Sequence, residues 1–107
     1  MDRALTAFLI SAGHHDIEWY QPMRSYRFWT MQVMEDLKRI AVEHPDFHNY
    51  VLDGQVFPLE EHLRVVPEDA EPLKELVRRG LLTIGPFYTQ FDEWLIPVSV
   101  YYSAAER

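Results

Sequence analysis

Three short apolar runs, each followed by a turn that contains glycine, alternate in this chain with stretches of helical periodicity. Residues 4–10 lead to Gly13, residues 47–52 to Asp53-Gly54, and residues 81–84 to Gly85-Pro86. Runs of this length, bounded by breakers, read as buried strands. Between the first two, residues 23–43 place Phe28, Met31, Met34, Leu37 and Ala41 on one helical stripe, with Val33 and Ile40 alongside. Pro22 suits the start of that helix, and His44-Pro45 ends it, because a residue before proline avoids the α region. Residues 57–65 form a second helix stopped by Pro67, and residues 68–79 a third, with Leu73, Leu76 and Val77 inward. Gly80 after Arg78-Arg79 marks its end. Residues 87–95 read as a structured aromatic loop and residues 98–107 as a last helix. The order β-α-β-α-α-β is that of an α/β protein with a parallel sheet.

Such a sheet needs cover on both faces, and three strands leave edges unpaired. With 107 residues, the chain fits a small domain or the opening portion of a larger one. The expectation is therefore self-association, or completion by the remainder of a larger domain. At 48% hydrophobic and 14% aromatic, the composition suits a packed core. The formal charge of −7, with acids and bases interspersed, offers no phosphate-binding face, so nucleic acid is excluded as a partner class. Cysteine is absent, which removes disulfides, thiolate metal sites and a cysteine nucleophile. No apolar stretch approaches the ~20 residues that cross a bilayer. Arg3, the run at 4–10 and the small residues Ser11, Ala12 and Gly13 imitate a signal peptide. Asp2 cancels the charge of Arg3 and the run is short, so a buried first strand and a cytoplasmic location are expected.

The segment 13–20, Gly-His-His-Asp-Ile-Glu-Trp-Tyr, carries the chemistry. At a strand end, alternation puts His14 and Asp16 on the same side and His15 on the other. An imidazole and a carboxylate there are two metal-ligand types, although a closed site takes three or four. The plainer alternative is a hydrogen-bonded pair. His15 suits packing or hydrogen bonding, and Glu18 a supporting hydrogen bond. Trp19 suits either a sugar face or the core. Asp53, at the end of the second strand, either caps its turn or meets substrate, and Gly54 supplies a positive φ. Asp92 and Glu93 suit a rim, and His44, His48 and His62 need only surface or packing roles.

Three blocks together resemble a known family. Residues 13–20 resemble the His-x-His-Trp-Asp-Arg-Glu-Trp-Tyr signature of the α-mannosidases of glycoside hydrolase family 38. Leu52-Asp53-Gly54-Gln55 is similar to that family's Leu-Asp-Gly-Gln. Residues 80–93, GLLTIGPFYTQFDE, are similar to its Gly-Arg-Leu-x-Ile-Gly-Pro-Trp-Tyr-x-Gln-Pro-Asp-Glu. The resemblance spans residues 4 to about 95 and identifies residues 1–107 as the N-terminal segment of such a catalytic domain. It implies a portion of an irregular seven-stranded parallel (β/α) barrel with its site at the strands' carboxyl ends. It also implies a divalent cation, usually zinc, on His14 and Asp16, and an α-mannoside or related glycan against Trp19, with Asp53 near the substrate.

The departures limit that reading. Ala12 replaces the first histidine of the signature, His15 its tryptophan and Ile17 its arginine. Ser99 and Ser103 lie where the family's Ser-Gly-Glu-Ser and Arg-Asn stretches are expected. The family's nucleophile, acid/base and remaining metal ligands are expected beyond residue 107, so no catalytic residue is assigned within the chain and the segment alone should be inactive. Two alternatives stay open: a non-enzymatic scaffold or binding module, and another metal-dependent carbohydrate enzyme such as a deacetylase.

Overall fold

A computed structural model of the chain describes residues 4–16, 19–90 and 94–95. Helix α1 spans Met23–Glu43, strand β1 Tyr50–Val51, helix α2 Phe57–Val65, helix α3 Ala70–Arg78 and strand β2 Leu82–Thr83, with a 3₁₀ turn over Pro67–Asp69 before α3. The ends of α1 and α2 coincide with those expected from the sequence. His44 leaves the helix at φ −120°, as Pro45 requires. Gly80 closes α3 at φ 72°, where Gly80 N donates to Val77 O and Leu81 N to Leu76 O. Those two bonds are the Schellman pattern, and they turn the chain directly into β2.

Strands β1 and β2 pair in parallel, with Tyr50 opposite Leu82 and Val51 opposite Thr83. Parallel neighbours need a crossover, supplied here by α2 and α3. Around this pair the chain is an α/β structure with a two-stranded sheet, flanked by parallel bridges Ala12–Val51 and Gln55–Phe87. The core is Met34, Leu37 and Ala41 of α1, Leu52 after β1, Leu73 and Leu76 of α3 and Leu82 of β2. Val33, Phe47, Tyr50, Leu59, Leu63, Leu81 and Ile84 pack against it.

Several expectations are corrected. Residues 4–10 do not form a buried strand: Leu5, Phe8, Leu9 and Ile10 are all at least 69% exposed. Among the described residues this run meets a sheet neighbour only at its end, and an apolar run becomes a buried strand only where another layer covers it. On α1 the inward stripe passes through Thr30 rather than Phe28, which is 60% exposed. The helix's first turns overhang the neighbouring cleft instead of the core. Val77 also faces outward. His62, for which a surface or packing role was expected, takes the packing role: it is wholly buried, with Nε2 2.6 Å from Asp69 Oδ2. The proposed helix at 98–107 and the pair Asp92–Glu93 lie outside the described residues, as do Ile17 and Glu18.

Candidate active-site corner at the carboxyl ends of the strands

The three sequence blocks meet here. Val51 N donates to Ser11 O and Gly13 N to Val51 O, which places the 13–16 loop beside the end of β1. From β1 the chain enters a tight turn: Asp53 has φ 44°, Gly54 φ 75°, and Gln55 N donates to Leu52 O. Two successive left-handed residues are a demand that Asp and Gly meet better than most. Phe87 N donates to Gly54 O, and the Gln90 side chain to Asp53 O at 2.6 Å. The Gln55 amide reaches back to His15 O at 3.4 Å. Gly13 is dictated by close approach, because a Cβ there would fall 1.7 Å from the Tyr50 Oη.

These bonds bring three candidate residues together. His14 Nδ1 lies 2.6 Å from Asp53 Oδ2, and His14 Nε2 lies 3.1 Å from Asp16 Oδ1. The side chains are open to solvent, His14 by 57%, Asp16 by 48% and Asp53 by 36%. The hydrogen bond to Asp53 raises the His14 pKa above its ordinary value; slight desolvation opposes this, and the charges of Asp16 and Asp53 reinforce it. His15 turns away, as alternation requires, half-buried with Nδ1 against Gly13 O at 3.3 Å. Burial lowers its pKa, with smaller contributions of both signs from its neighbours.

The donor set fits one corner of a metal site. Two N/O ligands at about 2.1 Å from a tetrahedral zinc are separated by roughly 3.4 Å, close to the His14–Asp16 spacing. Asp53 is differently placed, at the far nitrogen of the ring, so the three groups do not converge on a single point. A second group does converge: among the described residues, Glu35, His62 and Asp69 present ligand-type atoms within 4.8 Å of one another. A cation already sits there. Lys38 Nζ is 2.5 Å from Asp69 Oδ2 and 2.9 Å from Glu35 Oε1, while His62 Nε2 is 2.6 Å from Asp69 Oδ2. The ammonium supplies the positive charge those carboxylates need, so this group, with His62 and Asp69 buried and Glu35 exposed, is read as structural.

A cleft of about 390 Å³ opens beside the corner, between the 13–16 loop and the N-terminal half of α1. Tyr20, Tyr26, Arg27 and Trp29 line it with His14 and Asp16. Sequence reading missed Tyr26 and Trp29, although their three-residue spacing on a helix, off the core stripe, was the available signal. Arg27 pairs with buried Glu61, which Arg64 also holds at 2.5 Å. Trp19 is 66% exposed and edge-on to Tyr20, so it is not a core indole. No helix among the described residues is long and apolar enough to cross a membrane.

No family model matches the chain. A protein of Halalkalibacterium halodurans assigned as a mannosylglycerate hydrolase is 37% identical over 90 residues, 84% of this chain and 10% of that protein. An α-mannosidase structure from Enterococcus faecalis superposes with a TM-score of 0.82 at 32% identity, over 90% of this chain and 11% of its own. A second structure from Enterococcus faecalis, of a protein in glycosyl hydrolase family 38, gives a TM-score of 0.73 at 29% identity, over 95% of this chain and 12% of its own. The chain therefore spans about a tenth of the length of the relatives it matches.

Proposed function

Because the chain is similar in sequence and fold to family 38 α-mannosidases over nearly all its length, we propose that residues 1–107 form the N-terminal segment of such a catalytic domain and supply the metal-holding corner of a retaining α-mannosidase. The observation that carries this is the His14–Asp16 pair, exposed on the 13–16 loop beside the end of β1 with a spacing of 3.1 Å.

Retaining hydrolysis needs two carboxyl groups about 5 Å apart, one attacking the anomeric carbon and one protonating the leaving oxygen. In this reading neither lies within residues 1–107. His14 and Asp16 hold the divalent cation, zinc by the chemistry of an imidazole with a carboxylate. A cation held there would supply Lewis-acid binding of the sugar's hydroxyl groups. Trp19 offers an exposed indole face to the sugar's C–H groups, and Asp53 completes the polar rim. The substrate class is a terminal α-mannoside, with mannosylglycerate added by the bacterial relative's assignment.

Titration calorimetry of the chain with zinc, beside His14→Ala and Asp16→Ala, tests the corner. One weak site lost in both variants is expected. Binding indifferent to both substitutions would overturn the assignment. For the enzyme that contains this segment, hydrolysis of p-nitrophenyl α-mannoside should fall on chelation and return with zinc, and chelator-insensitive hydrolysis would contradict metal assistance.

A further inference from the structure

His14 has two ring nitrogens and two carboxylate partners, and the two contacts are unequal. The 2.6 Å contact from Nδ1 to Asp53 is a short charge-assisted hydrogen bond, whereas Nε2 and the Asp16 carboxylate stand further apart, at 3.1 Å. A neutral imidazole carries one proton, and the shorter bond to the carboxylate takes it. That leaves the Nε2 lone pair facing a carboxylate oxygen of Asp16 3.1 Å away, two acceptors with no proton between them, an arrangement that a shared cation would satisfy. The backbone of Asp53 is fixed for this contact: it sits at φ 44°, a conformation uncommon for a residue with a side chain. The turn bond from Gln55 N to Leu52 O and the Gln90 amide on its own carbonyl hold it there. An Asp-Gly turn braced from both sides fixes the direction in which the Asp53 side chain leaves the backbone.

We propose that Asp53 is a positioning residue for His14: it holds the proton on Nδ1 and presents Nε2, together with Asp16, to a divalent cation. The inference rests on the metal-holding role proposed above, and gives Asp53 a task other than contact with the sugar. A ligating histidine whose second nitrogen donates to a carboxylate has its tautomer and ring orientation set, and loss of that partner costs about 10–100-fold in metal affinity.

Two variants test it without disturbing the turn. Asparagine tolerates the left-handed region, and glycine adopts it freely, so Asp53→Asn and Asp53→Gly both preserve the backbone. Nitrogen-15 shifts of the His14 ring, recorded metal-free at a pH where the ring is neutral, read the tautomer directly. The wild-type ring should carry its proton on Nδ1, and both variants should shift population toward Nε2–H. Zinc titrations should then show affinity reduced about 10–100-fold in both variants. An Nε2–H ring in the wild type, an unchanged tautomer in the variants, or undiminished zinc affinity would each overturn the proposal. A tautomer change in a chain whose wild type binds no zinc would uphold Asp53 as the orienting group and overturn the metal-holding reading instead.

Discussion

Two histidine–aspartate pairs of the same length occupy different environments in this fold. His14–Asp53 and His62–Asp69 both measure 2.6 Å. The first stands at a strand end with its imidazole 57% exposed; the second is inside, with side chains 0% and 9% exposed. Their surroundings differ more than their geometry. Lys38 closes the inner pair, and α1, α2 and the 3₁₀ turn are joined through it. The outer pair meets a second carboxylate, Asp16, and an open cleft. Burial and the third partner therefore decide what a His–Asp pair does. Inside, it locks elements together. Outside, it leaves the second ring nitrogen for a further partner, which in the proposed reading is a cation.

The largest expected effect lies at the inner pair. Asp69→Ala would leave an ammonium and an imidazole without their shared acceptor. Removing one partner of a buried ion pair typically costs 3–5 kcal/mol; because Lys38 remains 22% exposed, the lower end applies, about 3 kcal/mol. Chemical denaturation should show it as a lowered midpoint, and an unchanged midpoint would mean the pair is not structural. Next comes Gly13→Ala, which drives a Cβ into the Tyr50 hydroxyl. Overpacking of this kind costs about 1–3 kcal/mol. Tyr50→Phe should recover only part, because the ring Cζ would still lie 2.8 Å away.

The inner pair should also shape the acid limb. Burial alone would raise the Asp69 pKa, but the hydrogen bonds from Lys38 and His62 and their charges lower it overall. A folded-state value below the unfolded one gives stability that is complete above the unfolded pKa. That stability is lost as pH falls through the folded value, so the loss should fall below about pH 4. Asp69→Asn should flatten that limb of the stability profile, and an acid limb unchanged in the variant would contradict it. The smallest effect belongs to the outer pair. His14→Ala, at an exposed position, should move stability by no more than about 0.5 kcal/mol. A larger drop would mean that the strand-end cluster holds the fold together.

How much of this was readable in advance follows the same division. Helices α1 and α2 were legible to the residue because periodic apolar spacing and proline punctuation are local signals. The convergence of His14 with Asp16 was expected from strand alternation, and the two do meet, although residues 13–16 form a loop and not a strand. Asp53 was placed at the rim, but its bond to His14 was not foreseen, since it depends on the register between the 11–13 segment and β1. His62 fills the packing role open to it, but its bond to Asp69 was not foreseen, because Asp69 and the Lys38 that shares it lie 7 and 24 residues from His62 along the chain, on other elements. The exposure of residues 4–10 was missed because hydropathy reports what a run prefers, and its cover must come from a layer absent among the described residues.

Zinc titration of the chain and of three variants tests most directly the claim that the open cluster at His14 and Asp16, and not the inner one, is the ligand site. His14→Ala and Asp16→Ala should abolish binding, while Glu35→Ala should leave it unchanged, since Glu35 is exposed and belongs to the group that Lys38 already fills. Binding that survives the first two substitutions and disappears with Glu35→Ala would place the cation at the buried cluster and contradict the division drawn between the two pairs.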